Sequence, residues 1–115
     1  MESRTLTNHL IEIRSINLKP GMREAFHHLY IEEALPLLKR WNFDVVAHGP
    51  SLHDENSYYV IRCFDNLNQR EQMEDAYYSS DDWRQGPREA MLALMESYTD
   101  IALELDDVTI QRLRR

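Results

Sequence analysis

The 115-residue chain has few of the residues on which several protein classes depend. It contains one cysteine, Cys63, and three glycines. A single thiol forms no intramolecular disulfide and no multi-thiolate zinc site, so a reducing compartment and a cytoplasmic location are expected. With so few glycines and no G-x-G-x-x-G or Walker pattern, no loop that cradles phosphate is expected either.

Long apolar runs and an excess of basic charge are also missing. No apolar segment approaches the roughly 20 residues that span a bilayer, and the start MESRTLTNHL lacks the basic-then-apolar order of a secretory signal. Acids outnumber bases 20 to 13, which gives a formal net charge of -7. Nucleic-acid binding needs clustered Lys and Arg, so the sequence predicts no nucleic-acid partner and no membrane partner.

What the chain does have is a strand–turn–helix pattern near its start. Apolar and polar residues alternate over 10–18, which predicts a half-buried strand. Pro20-Gly21 predicts a turn, because proline presets φ and glycine accepts a positive φ. Apolar residues then recur at helical spacing over 22–41. Pro36 lies within this helix and is expected to kink it, since proline removes a backbone donor.

A second unit of the same kind follows. In order, the sequence predicts strands over 43–49 and 57–64, a helix over 67–78 capped by Asn66 and Gln69, a helix from Ser79 or Ser80, a last helix after Gly86-Pro87, and a strand over 98–105. This order is that of an α+β, ferredoxin-like β-α-β-β-α-β domain with a four-stranded antiparallel sheet. One domain is expected over 10–106, between a flexible N-terminus (1–9) and a tail (107–115) that adds an edge strand to a partner's sheet or simply trails.

The two faces of the predicted sheet differ in polarity. The apolar face collects Ile11, Ile13, Val45, Ala47, Tyr59, Ile61, Cys63, Ile101, Leu103 and Leu105. The mixed face collects Glu12, Arg14, Asp44, Val46, His48, Tyr58, Val60, Arg62, Phe64, Asp100 and Glu104. We expect the helices to cover the apolar face. The mixed face is then expected to pack against the same face of a second copy, giving a homodimer in which two sheets close a shared barrel.

Three segments carry a family resemblance: IEIRSINLKPGMREAF, IEEALPLL with its proline after the paired glutamates, and SSDDW around Trp83. With these, the chain resembles the NIPSNAP-like branch of the dimeric α/β-barrel superfamily over about Leu10 to Leu105. The resemblance implies a ferredoxin-like protomer, a homodimer with its sheets facing inward, and no established general activity. Relatives in the superfamily include cofactor-free monooxygenases and haem-degrading oxygenases, whose ligand pocket lies between helices and sheet. No catalytic set of those enzymes matches this sequence residue by residue.

Two residues are candidates for acid–base chemistry. Glu33 falls on the apolar stripe of the first helix, where burial would raise its pKa and suit it to act as a general base. The alternative is that the kink at Pro36 turns Glu33 toward water or an arginine. His48 falls on the mixed face near Arg14 and Arg62, where it could shuttle protons or form an interface hydrogen bond.

Four residues are candidates for ligand contacts. Tyr30, Tyr59 and Trp83 could line an apolar pocket for an aromatic molecule, and Arg14 could bind an anionic group in a polar cavity. The alternatives are core packing for the aromatic residues and register-fixing ion pairs for Arg14. No metal site and no cofactor are expected.

Three functions are compatible with these patterns. The first is a NIPSNAP-like homodimer of unestablished activity that binds a small apolar ligand between helices and sheet. The second is a cofactor-independent monooxygenase acting on an aromatic small molecule, with Glu33 or His48 taking a proton. The third is a structural or interaction module without a ligand. Whether the protein is an enzyme stays open at this point.

Overall fold

The computed structural model describes residues 6–115, and within them the strands form one sheet. The elements are, in order, β1 (Asn8–Leu18), α1 (Arg23–Leu29), a π-helical turn (Tyr30–Ala34), α2 (Leu35–Arg40), β2 (Asp44–Pro50), β3 (Ser57–Phe64), α3 (Leu67–Tyr78), α4 (Asp81–Arg84), α5 (Arg88–Leu94), β4 (Met95–Asp106) and α6 (Asp107–Leu113). The predicted order of strands and helices is confirmed. Asn8 and His9 belong to β1, although the sequence predicts that they are part of a flexible N-terminus. Residues 1–5 of that segment lie outside the described residues.

The sheet has the strand order β2-β3-β1-β4, and all neighbouring strands are antiparallel. This is the ferredoxin-like arrangement that the sequence predicts. β1 lies in the interior, where Glu12 pairs with Arg62 of β3 and Arg14 pairs with Asp100 of β4. Directly opposed side chains in an antiparallel pair are close enough to interact, so the register alone brings four charged residues together.

The first helical stretch is interrupted where the sequence predicts a kink. The chain turns at Gly21, whose φ of +78° favours glycine, and α1 begins two residues later. In the π-helical turn the N–H of Leu35 donates to the carbonyl of Tyr30, five residues earlier. Pro36 follows in the first turn of α2 and has no N–H to donate. The wider turn adds a residue to the helical repeat, which rotates the side chains before Pro36 away from a regular apolar stripe.

The helices after β3 begin at the predicted caps. The Asn66 side chain accepts a hydrogen bond from the N–H of Gln69 at 2.8 Å, and the Gln69 side chain accepts one from the N–H of Asp65 at 2.6 Å. Ser80 caps α4 by accepting from the N–H of Trp83 at 3.2 Å. These hydrogen bonds fix the residues at which α3 and α4 begin, and they involve only side chains close in sequence.

The helices cover the mixed face of the sheet, so the expectation that they cover the apolar face is wrong. Tyr58, Val60 and Phe64 of β3 pack in the main core with Phe26, Tyr30, Ala34, Leu37, Leu38, Tyr77, Trp83 and Met91 from the helices. Glu12 is 0% exposed and Arg62 is 2% exposed on the same face. The charges are tolerated there because they neutralise one another, as described below, and the apolar residues between them supply the core.

The opposite, outer face is the apolar one, and it is partly open. Ile101 is 65% exposed and Leu103 is 36% exposed, beside Ile13 and Ile61. The tail covers another part of this face as helix α6, not as an edge strand or a trailing end. Its Ile110 packs with Ile11 and Val46 in a second core cluster. Val46, which alternation places on the mixed face, lies on the outer face because the β2–β3 register shifts between Val45 and Ala47.

Two local features fix α6 in place. The Asp106 side chain caps it by accepting from the N–H of Thr109 at 2.8 Å, and Arg114 donates two hydrogen bonds to Asp44 at 2.7 and 2.8 Å. Among the described residues, no helix has the length and apolar character needed to cross a membrane.

Candidate ligand-binding site

A cavity of about 450 Å³ lies between the helix-covered face of the sheet and helices α3, α4 and α5. Pockets that hold small molecules commonly have volumes of ~300–1,000 Å³ and are mostly apolar with a few polar groups. This cavity fits that description. Its lining combines apolar and aromatic walls (Ile16, Tyr30, Ala34, Leu38, Val60, Tyr77, Tyr78, Trp83, Met91, Leu92, Met95 and Tyr98) with six charged residues (Arg14, Arg62, Arg70, Glu74, Arg88 and Asp100).

Glu12 lies buried behind the lining of this cavity, at the centre of a charged cluster that we call the polar floor: Glu12, Arg14, Arg62, Arg70, Glu74 and Asp100. Arg62 donates to Glu12 Oε1 through Nε at 2.8 Å and again through its second terminal nitrogen. Arg70 of α3 donates to Glu12 Oε2 through Nε at 2.6 Å. Burial acts to raise the pKa of Glu12, but Arg62 and the other neighbouring groups outweigh it and hold that pKa at about 2. Glu12 is therefore a permanent anion that joins β1, β3 and α3.

Asp100 plays the same part at the other side of the floor. Arg14 donates to both of its carboxylate oxygens, at 2.8 and 2.9 Å, and Arg70 donates to one of them at 3.2 Å. The hydroxyl of Tyr78 accepts from Arg14 at 3.0 Å and from Arg62 at 2.9 Å. Charge-assisted, bidentate hydrogen bonds of this kind fix planar guanidinium groups firmly. The three arginines are thus held in place before any ligand arrives.

Glu74 is bound less firmly than the other two acids. Its oxygens lie 3.5 Å from Arg70, 3.6 Å from Arg62 and 3.8 Å from Arg14. Its Oε2 is buried and has no hydrogen-bond partner among the described residues. Burial raises the pKa of Glu74 to about 7, the Glu12 carboxylate adds to this rise, and Arg62 and Arg70 oppose it. Glu74 can therefore carry or release a proton near neutral pH.

The three carboxylates could in principle form a cation site, since oxygens of Glu12, Glu74 and Asp100 lie within 4.8 Å of one another. The guanidinium groups argue against this use. Arg62 and Arg70 bind both oxygens of Glu12, and Arg14 binds both oxygens of Asp100. A metal ion would have to displace these fixed cations from their hydrogen bonds, so the chemistry of the floor suits an anion better than a cation.

The walls contain two hydroxyl groups that form no hydrogen bond within the described part of the chain. The hydroxyls of Tyr30 and Tyr77 are buried and have no hydrogen-bond partner there. Both residues line the cavity and are at most 3% exposed. Burial raises the pKa of each phenol, so both stay protonated and can donate a hydrogen bond. An unpaired buried hydroxyl costs about 1–3 kcal/mol.

A second polar group lies next to the cavity. The Tyr58 hydroxyl is within hydrogen-bond distance of His27 Nδ1 at 2.7 Å and of His48 Nδ1 at 3.0 Å. Burial lowers the pKa of His48, and His27 and Lys39 act in the same direction. This His27–Tyr58–His48 group holds α1 against β2 and β3, and none of its members lines the cavity.

The structure brings three of the four predicted ligand contacts together. Arg14, Tyr30 and Trp83 all line the cavity. Tyr59 does not, because it points to the outer face, where its ring lies against Gly49. Its position follows from strand parity, since neighbours Tyr58 and Val60 face the helices.

Neither candidate for acid–base chemistry reaches the cavity. Glu33 is exposed, so the alternative that the Pro36 region turns it toward water is the one the structure supports. His48 lies on the helix-covered face as its parity predicts. It contacts Tyr58 and Tyr30 within the chain, and its interface hydrogen bond stays a prediction.

The residues that α3 contributes to the cavity were not among the predicted site residues. Arg70, Glu74, Tyr77 and Tyr78 line the cavity. One signal was present: α3 has no clear apolar stripe, yet a helix in this position must pack against a sheet. Positions 70, 74 and 78 recur at a spacing of four, which places them on one face of the helix. A helix whose inward face is charged predicts a charged sheet face opposite it, and Arg14 and Arg62 are on that face.

Comparison with known proteins shows what this fold is similar to. No family model matches the sequence, and no curated protein matches it. A NIPSNAP family protein of unknown function from Agrobacterium tumefaciens has a TM-score of 0.79 and 19% identity, over 87% of this chain and 90% of that one. An uncharacterised NIPSNAP domain protein from Burkholderia xenovorans has a TM-score of 0.74 and 15% identity, over 82% and 91%. The chain has the NIPSNAP fold.

A structure with another description also has a similar fold. A putative antibiotic biosynthesis monooxygenase from Bordetella bronchiseptica has a TM-score of 0.68 and 19% identity, over 84% of this chain and 95% of that one. At identities this low, the likeness concerns the fold alone. The resemblance found in the sequence is therefore confirmed as a shared architecture, and the function has to be argued from the cavity.

Proposed function

We propose that this NIPSNAP-fold protein binds a small, largely aromatic molecule in the cavity between α3–α5 and the sheet. The observation that carries the proposal is the pair of buried hydroxyls, Tyr30 and Tyr77, that line the cavity without a hydrogen-bond partner among the described residues. Buried polar groups are nearly always hydrogen-bonded in native structures. A ligand that accepts hydrogen bonds from these phenols would satisfy them.

The walls and the floor favour different parts of such a ligand. Trp83, Tyr78 and Met91 line the cavity with apolar surface, and rings pack well against aromatic side chains and methionine. The arginines of the floor are immobilised by Glu12 and Asp100, so a polar group that meets them does not have to order them first. Preorganised groups of this kind improve affinity because less conformational entropy is lost on binding.

Replacing Tyr30 with Phe tests the ligand proposal. Because the substitution removes an unsatisfied buried hydroxyl, we expect the ligand-free protein to gain about 1 kcal/mol in free energy of unfolding. We expect affinity for the ligand to fall by about tenfold, since one hydrogen bond is lost. Urea unfolding measures the first quantity. Native mass spectrometry of freshly purified protein identifies a co-purified ligand, and titration of that ligand measures the second.

Tyr58→Phe is the matched control. Its hydroxyl is equally buried but is bound by His27 and His48 outside the cavity. We expect this variant to lose about 1 kcal/mol of stability and to keep its ligand affinity. Equal effects of the two substitutions on both quantities would contradict the proposal, as would a Tyr30→Phe variant that binds as well as the unmodified protein.

We also propose that two copies associate through the outer face of the sheet. The uncovered part of this face consists of Ile13, Ile61, Ile101 and Leu103. Soluble monomers rarely leave a contiguous apolar patch of this kind on a sheet. The identical patch on a second copy would bury it through a two-fold axis. The sheet face that takes part is therefore the apolar one, opposite to the face that the sequence analysis assigned to the dimer.

A cofactor-independent monooxygenase is the second candidate, and Glu74 is the observation that favours it. A carboxyl group with a pKa of about 7 beside a ligand suits a general base. Glu74 would take a proton from an activated methylene group of an aromatic substrate. Dioxygen would then supply one oxygen atom to a new carbonyl, and its second atom would leave as water with the two methylene hydrogens.

Oxygen consumption distinguishes the second candidate from binding alone. An enzyme of this kind consumes oxygen only when substrate is added, and Glu74→Gln is expected to reduce the rate by at least about a hundredfold, the contribution of a typical general base. Glu33→Gln is the matched control, because Glu33 is exposed and does not line the cavity. If no aromatic compound that binds also drives oxygen uptake, the monooxygenase candidate falls and the binding function stands.

A further inference from the structure

The carboxylates of the cavity floor differ in how strongly they are hydrogen-bonded to its arginines. Arg14, Arg62 and Arg70 are three permanent cations, and the carboxylates that accept hydrogen bonds from them among the described residues are Glu12 and Asp100. Two carboxylates leave one positive charge unbalanced. Whether the floor is neutral or positive is therefore decided by a single residue, Glu74.

Glu74 is attracted to the arginines without being hydrogen-bonded to them as firmly as the other acids are. Its distances of 3.5–3.8 Å to the three guanidinium groups are too long for strong hydrogen bonds. Its Oε2 is buried with no hydrogen-bond partner among residues 6–115. Displacing the Glu74 carboxylate from the arginines therefore breaks no strong hydrogen bond to them, and a hydrogen bond to Glu12 favours the protonated form of Glu74.

We propose that the cavity is selective for aromatic molecules carrying a carboxylate, and that Glu74 takes up a proton when such an anion binds. This inference rests on the proposed binding function and names the class of ligand. The ligand carboxylate takes the place of the Glu74 charge beside Arg62 and Arg70, and Glu74 becomes neutral. The net charge of the floor is then the same before and after binding, so no unpaired charge is buried.

Other groups around the cavity agree with an anionic ligand. Arg88 lies at the mouth, is exposed, and has no ion pair within the described part of the chain. The unpaired hydroxyls of Tyr30 and Tyr77 in the walls can donate hydrogen bonds to a ligand, which suits a carboxylate because it only accepts. A neutral aromatic molecule would use the walls but would leave the positive floor without a counter-ion whenever Glu74 is protonated.

The charged and titratable groups that face Glu74 come from three strands and from its own helix. They are Glu12 and Arg14 of β1, Arg62 of β3, Asp100 of β4, and Arg70 and Tyr78 of α3. Glu12 stays ionised because its pKa is held at about 2, and the arginines stay charged at all accessible pH values. Glu74, whose pKa is raised to about 7, is expected to change its charge between pH 6 and 9.

The test compares 2-naphthoate with its neutral analogue, 2-naphthamide, by isothermal titration calorimetry. For 2-naphthoate we expect the dissociation constant to rise by up to about tenfold per pH unit above pH 7, because one proton must be taken up. Titrations at pH 8 in two buffers that differ in ionisation enthalpy should show uptake of close to one proton per ligand bound. For 2-naphthamide we expect weaker binding at pH 7 and no proton uptake.

Two variants show whether Glu74 is the group that takes the proton. Glu74→Gln keeps the shape but is permanently neutral, so we expect it to bind 2-naphthoate with no pH dependence, and at least about tenfold more tightly than the unmodified protein at pH 8.5. Glu71→Gln removes the same charge from an exposed position of α3. We expect it to keep the pH dependence of the unmodified protein.

The outcomes separate this inference from the proposed function. If neither naphthalene derivative binds, both the proposed function and the inference are overturned. If 2-naphthamide binds as tightly as 2-naphthoate, the cavity binds aromatic molecules without selecting carboxylates, and the inference alone falls. If 2-naphthoate binds without proton uptake, or Glu74→Gln keeps the pH dependence, Glu74 is not the proton acceptor and the inference is likewise wrong.

Discussion

Glu12→Leu is expected to destabilise the protein by about 3–5 kcal/mol. Removing one partner of a buried ion pair costs this much because the other charge stays buried and loses its counter-ion. Glu12 is 0% exposed and is bound by Arg62, which is 2% exposed, and by Arg70. The substitution therefore removes the carboxylate that accepts hydrogen bonds from both Arg62 and Arg70. Small domains are stable by only about 5–15 kcal/mol, so the variant should lose a large share of its free energy of unfolding.

The double variant Glu12→Leu/Arg62→Met shows whether the loss arises from the stranded charge. Replacing both partners with apolar residues of similar volume is often neutral or stabilising, so we expect it to recover most of the lost stability. Urea unfolding at pH 7 measures both variants, and Glu71→Gln, on the exposed side of α3, serves as the control with little effect. A double variant as unstable as the single one would show that packing, and not charge, explains the loss.

The second large effect is on assembly, where Ile101→Lys is expected to convert a dimer into a monomer. Ile101 lies on the outer face opposite Ile13 and is 65% exposed in the single chain. A two-fold axis would bury both copies of the new lysine in an apolar interface, at a cost of several kcal/mol for each ion. The dimer dissociation constant should rise at least about a thousandfold. Sedimentation velocity at micromolar concentration measures the change.

Leu52→Lys is the matched control for assembly. Leu52 is fully exposed in the β2–β3 loop, away from the outer face. The same substitution there should leave the dimer intact, which excludes a general effect of added charge. An unmodified protein that sediments as a monomer would contradict the dimer proposal. A dimer that survives Ile101→Lys would place the interface on another surface.

Local patterns were enough to predict the order of elements. β3 and α3 are found at the predicted residues 57–64 and 67–78. The turn at Gly21 and the cap at Asn66 are also confirmed. These features depend on residues within a few positions of one another, such as the glycine that accepts a positive φ and the asparagine side chain that binds an N–H three residues on.

The face of the sheet that receives the helices was predicted wrongly, and the reason is physical. Alternation separates a strand into two faces but does not say which face meets the helices. Arg14 and Arg62 look like residues for solvent or an interface until their partners are known. Those partners are distant in sequence, because Arg62 binds Glu12 fifty residues away and Arg14 binds Asp100 eighty-six residues away.

The fold class, the turn and cap positions, and the presence of two unlike sheet faces could all be predicted from residue patterns. The same patterns also indicated three of the cavity residues, Arg14, Tyr30 and Trp83. The exposure of Glu33, which follows from the π-helical turn before Pro36, and the position of Glu74 beside the arginines of the cavity floor became evident from long-range packing. The two sets of features differ in the sequence separation of the residues that determine them. Turns and caps are set by neighbouring residues, whereas the burial of a charge depends on what the rest of the chain places around it.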